Sequence, residues 1–160
     1  MKDFRRIARS LSLAVLAFVM PACDSLFKSV LPASPGEVEG QLVNAVNSKR
    51  SEAGLAALIW SDLIAEEARA HSKNMADKTV PFGHDGFSDR FARITRAIPA
   101  DAGAENIAYG PDADTVFRIW VDSAGHRTNI VGNFNFTGVG VVWDSKSSNF
   151  YCTQIFIRSR

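Results

Sequence analysis

Cysteine is nearly missing from this 160-residue chain, whose two thiols are Cys23 and Cys152. A disulfide-stapled scaffold is thereby excluded, and an apolar core has to hold the fold together. An excess of either charge is missing too, with 18 Lys and Arg against 17 Asp and Glu. No basic stripe is available to neutralise phosphates, which excludes nucleic acid as a partner. There is no internal repeat and no low-complexity tract. The main apolar run, Leu11 to Met20, falls short of the roughly 20 residues that a permanent membrane span needs.

That run follows Lys2, Arg5, Arg6 and Arg9 and ends at small residues, the layout of an export signal over residues 1–22. Arg5-Arg6 also admits a twin-arginine reading. Met20-Pro21-Ala22-Cys23 resembles the lipobox of bacterial lipoproteins, in which the cysteine is acylated and becomes the new N-terminus; Met20 and Pro21 depart from its usual residues. Lipidation at Cys23 would hold an exported protein on a membrane surface of the cell envelope, facing the periplasm or the exterior. Asp24 resembles an inner-membrane retention signal. The alternative is an ordinary secretory signal and a soluble secreted protein. Residues 23–34 read as a tether and 35–160 as one domain. Without residues 1–22, 14 Lys and Arg face 16 Asp and Glu. Cys152, in a strand, reads as a small buried hydrophobe.

Ser34-Pro35-Gly36-Glu37 predicts a helix start, with Ser34 as N-cap, Pro35 at the first position and Glu37 closing a capping box. Val38, Leu42, Val43 and Val46 give that helix an apolar face, and Gly54 ends it. A second helix runs from Ser61-Asp62 to about Ala76, with Leu63, Ala70 and Met75 inward and His71 among polar, solvated neighbours. Ser88 to Ile94 predicts a short third helix and Asn106 to Tyr109 a strand. Asp112 caps a helix from Ala113 to Ser123 that buries Val116, Phe117 and Trp120; Trp60 and Trp143 read as core residues as well. Gly138 to Trp143 and Phe150 to Ile157 form a hairpin. Helices first and strands later argue an α+β domain with an antiparallel sheet between helical layers.

Three spaced blocks lie in the last third: Gly103-Ala104-Glu105-Asn106-Ile107-Ala108, then Trp120 through Ser123-Ala124-Gly125-His126-Arg127-Thr128-Asn129-Ile130, then Thr137-Gly138-Val139-Gly140-Val141 with Tyr151-Cys152-Thr153-Gln154. Their order and spacing, with His84 upstream, resemble the CAP superfamily (cysteine-rich secretory proteins, antigen 5, pathogenesis-related proteins) in its short bacterial form. The resemblance extends from about Leu42 to Phe156 and implies a three-layer α–β–α sandwich with a central antiparallel sheet. It also implies a cleft in which better-studied members place two histidines and two glutamates able to bind zinc. His84 and Glu105 match the first of each kind, while Ser123 and Tyr151 stand where the second glutamate and histidine belong. On a helix continuing past Ser123, His126 would share its face and replace the missing imidazole. His84, Glu105 and His126 then make a candidate three-ligand zinc set with a position open for water. Glu105 and His126 are the catalytic candidates; His84, Glu105, Ser123, His126 and Gln154 are the cleft candidates.

Three functions follow as expectations. The chain is a cell-envelope module holding a peptide, glycan or lipid in its cleft; or a divalent-metal-dependent hydrolase; or a structural domain without chemistry in the cleft.

Overall fold

Residues 33–160 are described by a computed structural model; the stretch expected to be an export signal, the expected lipidation site Cys23 and residues 23–32 of the expected tether lie outside the described residues. Helix α1 (Pro35–Glu52) opens on the expected capping box, Glu37 N–H donating to Ser34 Oγ at 3.3 Å and Ser34 N–H to Glu37 Oε2 at 2.8 Å. The chain then forms β1 (Ile59–Trp60), α2 (Asp62–Ala76), α3 (Phe87–Thr95), β2 (Ala100–Gly110), α4 (Ala113–Asp122), α5 (Ala124–Ile130), β3 (Phe136–Asp144) and β4 (Asn149–Ser159). Among the described residues no helix is long and apolar enough to cross a membrane.

The sheet order is β1-β3-β4-β2. Strands β2, β4 and β3 are antiparallel, as expected, but β1 joins β3 in parallel through Ile59↔Phe136 and Trp60↔Thr137. The sheet is therefore mixed. A short strand followed by a crossing helix can rejoin the sheet in parallel, whereas a hairpin cannot.

One face of the sheet shares a core with α1, α4 and α5, built on Leu42, Val46, Val116, Trp120, Ile130, Val139, Phe150 and Phe156. The other packs Ile155 and Ile157 against Ile64 and Ala68 of α2 and Ile94 of α3. This is the α–β–α arrangement. Cys152 is fully buried, and burial pushes its thiol pKa strongly up. Trp120 is a core residue, but Trp60 is only half-buried and Trp143 is 36% exposed, because both lie towards the sheet margin.

Gly138 and Gly140 explain the closeness of α2. A Cβ at Gly138 would lie 2.2 Å from Ala65 N, and one at Gly140 would lie 2.0 Å from Arg69 N. Two glycines on one face of β3 let the helix backbone rest on the strand. The contact also sets the rotation of α2, whose buried stripe is Ile64, Ala65, Ala68, His71, Ser72 and Met75 rather than Leu63 and Ala70.

Arg50, at the end of α1, is 3% exposed and makes no ion pair among the described residues. Its guanidinium instead donates to the carbonyls of Ala56, Ile130, Gly132 and Phe134 at 2.8–3.1 Å. Ile130 closes α5, so a cation there meets the negative end of the helix dipole.

Candidate cleft site

The site is built outward from Gly103. A Cβ there would lie 2.6 Å from the Phe91 ring. Without it, Phe91 packs directly on β2 and brings α3 close to the strand. Arg90, one residue earlier, then faces Glu105, two residues further along β2 and on the same face as Gly103.

Arg90 takes both oxygens of Glu105: Nε donates to Oε2 at 3.0 Å and Nη2 to Oε1 at 2.9 Å. Their side chains are 6% and 2% exposed. A pair this buried is sustained by bidentate geometry, since a lone charge there would be costly. His84 Nδ1 lies 3.0 Å from Glu105 Oε1. An ionised carboxylate can only accept, so this contact requires the proton on His84 Nδ1.

Two further bonds fix the loop that carries His84. Arg90 Nη1 donates to the Asp85 carbonyl at 2.9 Å, and His71 Nε2 lies 2.9 Å from the Gly83 carbonyl. His71 is thus no solvated surface residue but a buried anchor, 3% exposed. The rotation of α2 that seats the helix on Gly138 and Gly140 also turns His71 inward. Burial holds its pKa below the ordinary histidine value, with the charge of Arg90 adding to the effect and the Gly83 bond opposing it.

His126 enters from the other side. Asn106 Nδ2 donates to the His126 carbonyl at 3.1 Å, while Asn106 Oδ1 accepts from Asn129 Nδ2 at 2.8 Å. These bonds dock α5 on β2. The rings of His84 and His126 lie 6.5 Å apart between centroids. His126 Nδ1 is buried without a hydrogen-bond partner among the described residues. Burial first, and the charge of His84 second, lower its pKa.

The structure therefore joins His84 to Glu105 and sets the His126 ring 6.5 Å from that of His84. It does so without the continuous helix: Ser123, at φ −80° and ψ 123°, is extended and separates α4 from α5. Serine favours such junctions, so Ser123 and His126 do not share a helical face. Gln154 does not join the cleft. It pairs opposite Asn106, whose side chain faces away from that of Glu105, and lies fully buried with Nε2 donating to Thr137 Oγ1 at 3.1 Å. Gln154 is a core amide. Arg127 donates to the Val121 carbonyl rather than to a carboxylate.

Arg90 and an aromatic wall went unread in the sequence, and the buried role of His71 is a correction to its solvated reading. Arg90 had a signal: it stands between Phe87 and Ile94 at helical spacing, and a charge on an apolar face requires a buried partner. The wall consists of Tyr109 and Tyr151, stacked as cross-strand neighbours at 5.6 Å, with Phe82 edge-on at 5.2 Å from Tyr109. Phe82, Ile107, Tyr109, Ile119 and His126 line a cleft of about 350 Å³. Phe82 and Tyr109 are 48% and 50% exposed there.

A zinc ion, implied by the family resemblance, does not fit these residues. Both carboxylate oxygens of Glu105 are engaged by Arg90, and at the two remaining positions that the resemblance implies stand Ser123 and Tyr151. Among the described residues no three His, Cys, Asp or Glu side chains are grouped as a ligand set, whereas zinc sites use three or four.

An α–β–α fold with His84 bonded to Glu105 beside it is the arrangement of a CAP-type domain. The model of the cysteine-rich secretory protein family, CAP, matches residues 43–156, and the chain belongs to this family. It is 34% identical over 130 residues to YkwD, an uncharacterised protein of Bacillus subtilis, covering 79% of this chain and 49% of YkwD. It is 32% identical over 126 residues to YlbC, an uncharacterised membrane protein of the same organism, covering 75% of this chain and 34% of YlbC. The chain thus spans about half the length of one curated relative and a third of the other. A crystal structure of an extracellular SCP-domain protein from Bacillus anthracis superposes with a TM-score of 0.67 at 32% identity, over 81% of this chain and 45% of that one. An outer surface protein from Borrelia burgdorferi shares the fold, with a TM-score of 0.69 at 14% identity over 80% of this chain and 97% of that one.

Proposed function

We propose that this protein is an exported, lipid-anchored module of the cell envelope that binds an uncharged saccharide or peptide segment in its cleft. The observation that carries this reading is the pair of half-exposed rings, Phe82 and Tyr109, lining the same cleft as His126. Aromatic faces offer stacking area, and imidazoles and phenols offer hydrogen bonds without selecting for a charged ligand. The buried carboxylate and guanidinium neutralise one another. The exposed aromatic wall suits a ligand lying across it more than an acyl chain, which needs an enclosed apolar tunnel. A hydrolase would need Glu105 free as a ligand or base, and Arg90 already holds it.

Calorimetric titration with short N-acetylhexosamine oligomers and with uncharged peptides tests the reading. Binding that falls at least about tenfold in Tyr109→Ala supports it; equal affinity in both proteins contradicts the cleft as the site. The anchor is tested separately. Cys23→Ser should abolish acylation and release the protein from membranes, and a variant that partitions like wild type contradicts lipidation.

A further inference from the structure

We infer that Arg90 is the resident cation of the cleft, occupying the coordination of Glu105 so that the site works without a divalent metal. This stands apart from the identity of the cleft's ligand. Three observations converge on it. Arg90 meets both oxygens of Glu105 at 2.9–3.0 Å in a buried bidentate pair. Its remaining terminal nitrogen, Nη1, is tied to the Asp85 carbonyl, so the guanidinium cannot swing away without releasing the His84 loop. And His126 Nδ1 is buried without a partner among the described residues, 6.5 Å ring to ring from His84. A carboxylate with one imidazole bonded to it and a second imidazole 6.5 Å from the first are donor types of a zinc site, and here the carboxylate is satisfied by an arginine.

A guanidinium does two things that a metal would otherwise do. It cancels the carboxylate charge inside a desolvated site, and it fixes the carboxylate plane so that Oε1 receives His84 Nδ1. It differs in being permanent: it is covalently part of the chain, and chelators or pH near neutrality cannot remove it. Arg90 is therefore a positioning residue acting on His84 through Glu105, and its loss should convert an arginine-filled site into a metal-accepting one.

The test is zinc titration by calorimetry of the full chain in detergent, as wild type, Arg90→Met, Arg90→Gln and Arg90→Met/His84→Ala. The wild type is expected to take up no stoichiometric zinc. Arg90→Met should bind one zinc at least about tenfold more tightly than wild type, with the gain lost when His84 is also replaced. Arg90→Gln, which retains an amide donor to Glu105, covers the case in which the methionine variant does not fold. One-to-one zinc binding by the wild type would overturn the inference, and so would folded Arg90 variants with no gain in zinc affinity.

Discussion

Glu39 on α1 and Arg69 on α2 meet at the edge of the sheet, two hydrogen bonds of 2.7 Å joining helices that pack on opposite faces. Glu39 Oε1 also accepts the N–H of Val141, on the stretch of β3 beyond its short pairing with β1. The ion pair closes an edge that would otherwise be a template for pairing with another chain. Glu39→Ala removes the acceptor of a buried backbone N–H and should cost about 1–3 kcal/mol. For a domain of this size that corresponds to a melting temperature lower by roughly 3–6 °C per kcal/mol, readable by calorimetry. An unchanged melting temperature would show that the edge needs no such closure.

Gly140→Ala should be more damaging than its single added methyl suggests. The new Cβ would meet α2 backbone rather than a movable side chain, at 2.0 Å from Arg69 N. A loss of about 2 kcal/mol or more is expected from the forced separation of helix and strand. Gly125→Ala is the control, since nothing lies within 4 Å of a Cβ there.

Arg50→Met should destabilise by at least about 3 kcal/mol, because four carbonyls lose their donor together. Denaturant unfolding measures this. A near-neutral result would mean that water replaces the guanidinium.

Much of the fold could be read from local residue chemistry. The capping box at Ser34, the Asp112 cap donated to by Thr115 N–H, and the β3–β4 hairpin each depend on residues within a few positions of one another. What could not be read depends on distant contacts. Helical spacing alone placed Leu63 and Ala70 inward, whereas two glycines some seventy residues later set the rotation of α2 and bury His71. Gln154 lies one residue from Ile155, and in a strand that single step puts it on the far face of the sheet from the cleft. The motif blocks single out His84, Glu105 and His126, but Arg90 was not legible, because no block names the partner of a buried carboxylate.

Stability should fall as pH drops below neutrality. His71 and His126 both have folded-state pKa values below the ordinary 6.5. Between those values and 6.5 the unfolded chain binds more protons, so the stabilisation is complete above 6.5 and is lost as pH falls through that window. Melting temperatures followed from about pH 7.5 to pH 5 should decline, and less steeply in His71→Gln, which keeps a donor for the Gly83 carbonyl. Identical slopes would remove His71 from the effect.

The most direct test of the cleft as a binding site is long-range proton–nitrogen NMR of the three imidazoles as N-acetylhexosamine oligomers, and then uncharged peptides, are added to the protein. His126 lines the cleft with the His84 ring 6.5 Å away, while His71 is buried behind the loop and serves as an internal reference. Saturable shifts at His84 and His126, with His71 unmoved, are the predicted result. No shift at either residue with both ligand classes, in a protein whose His71 signal shows it folded, would contradict the binding site.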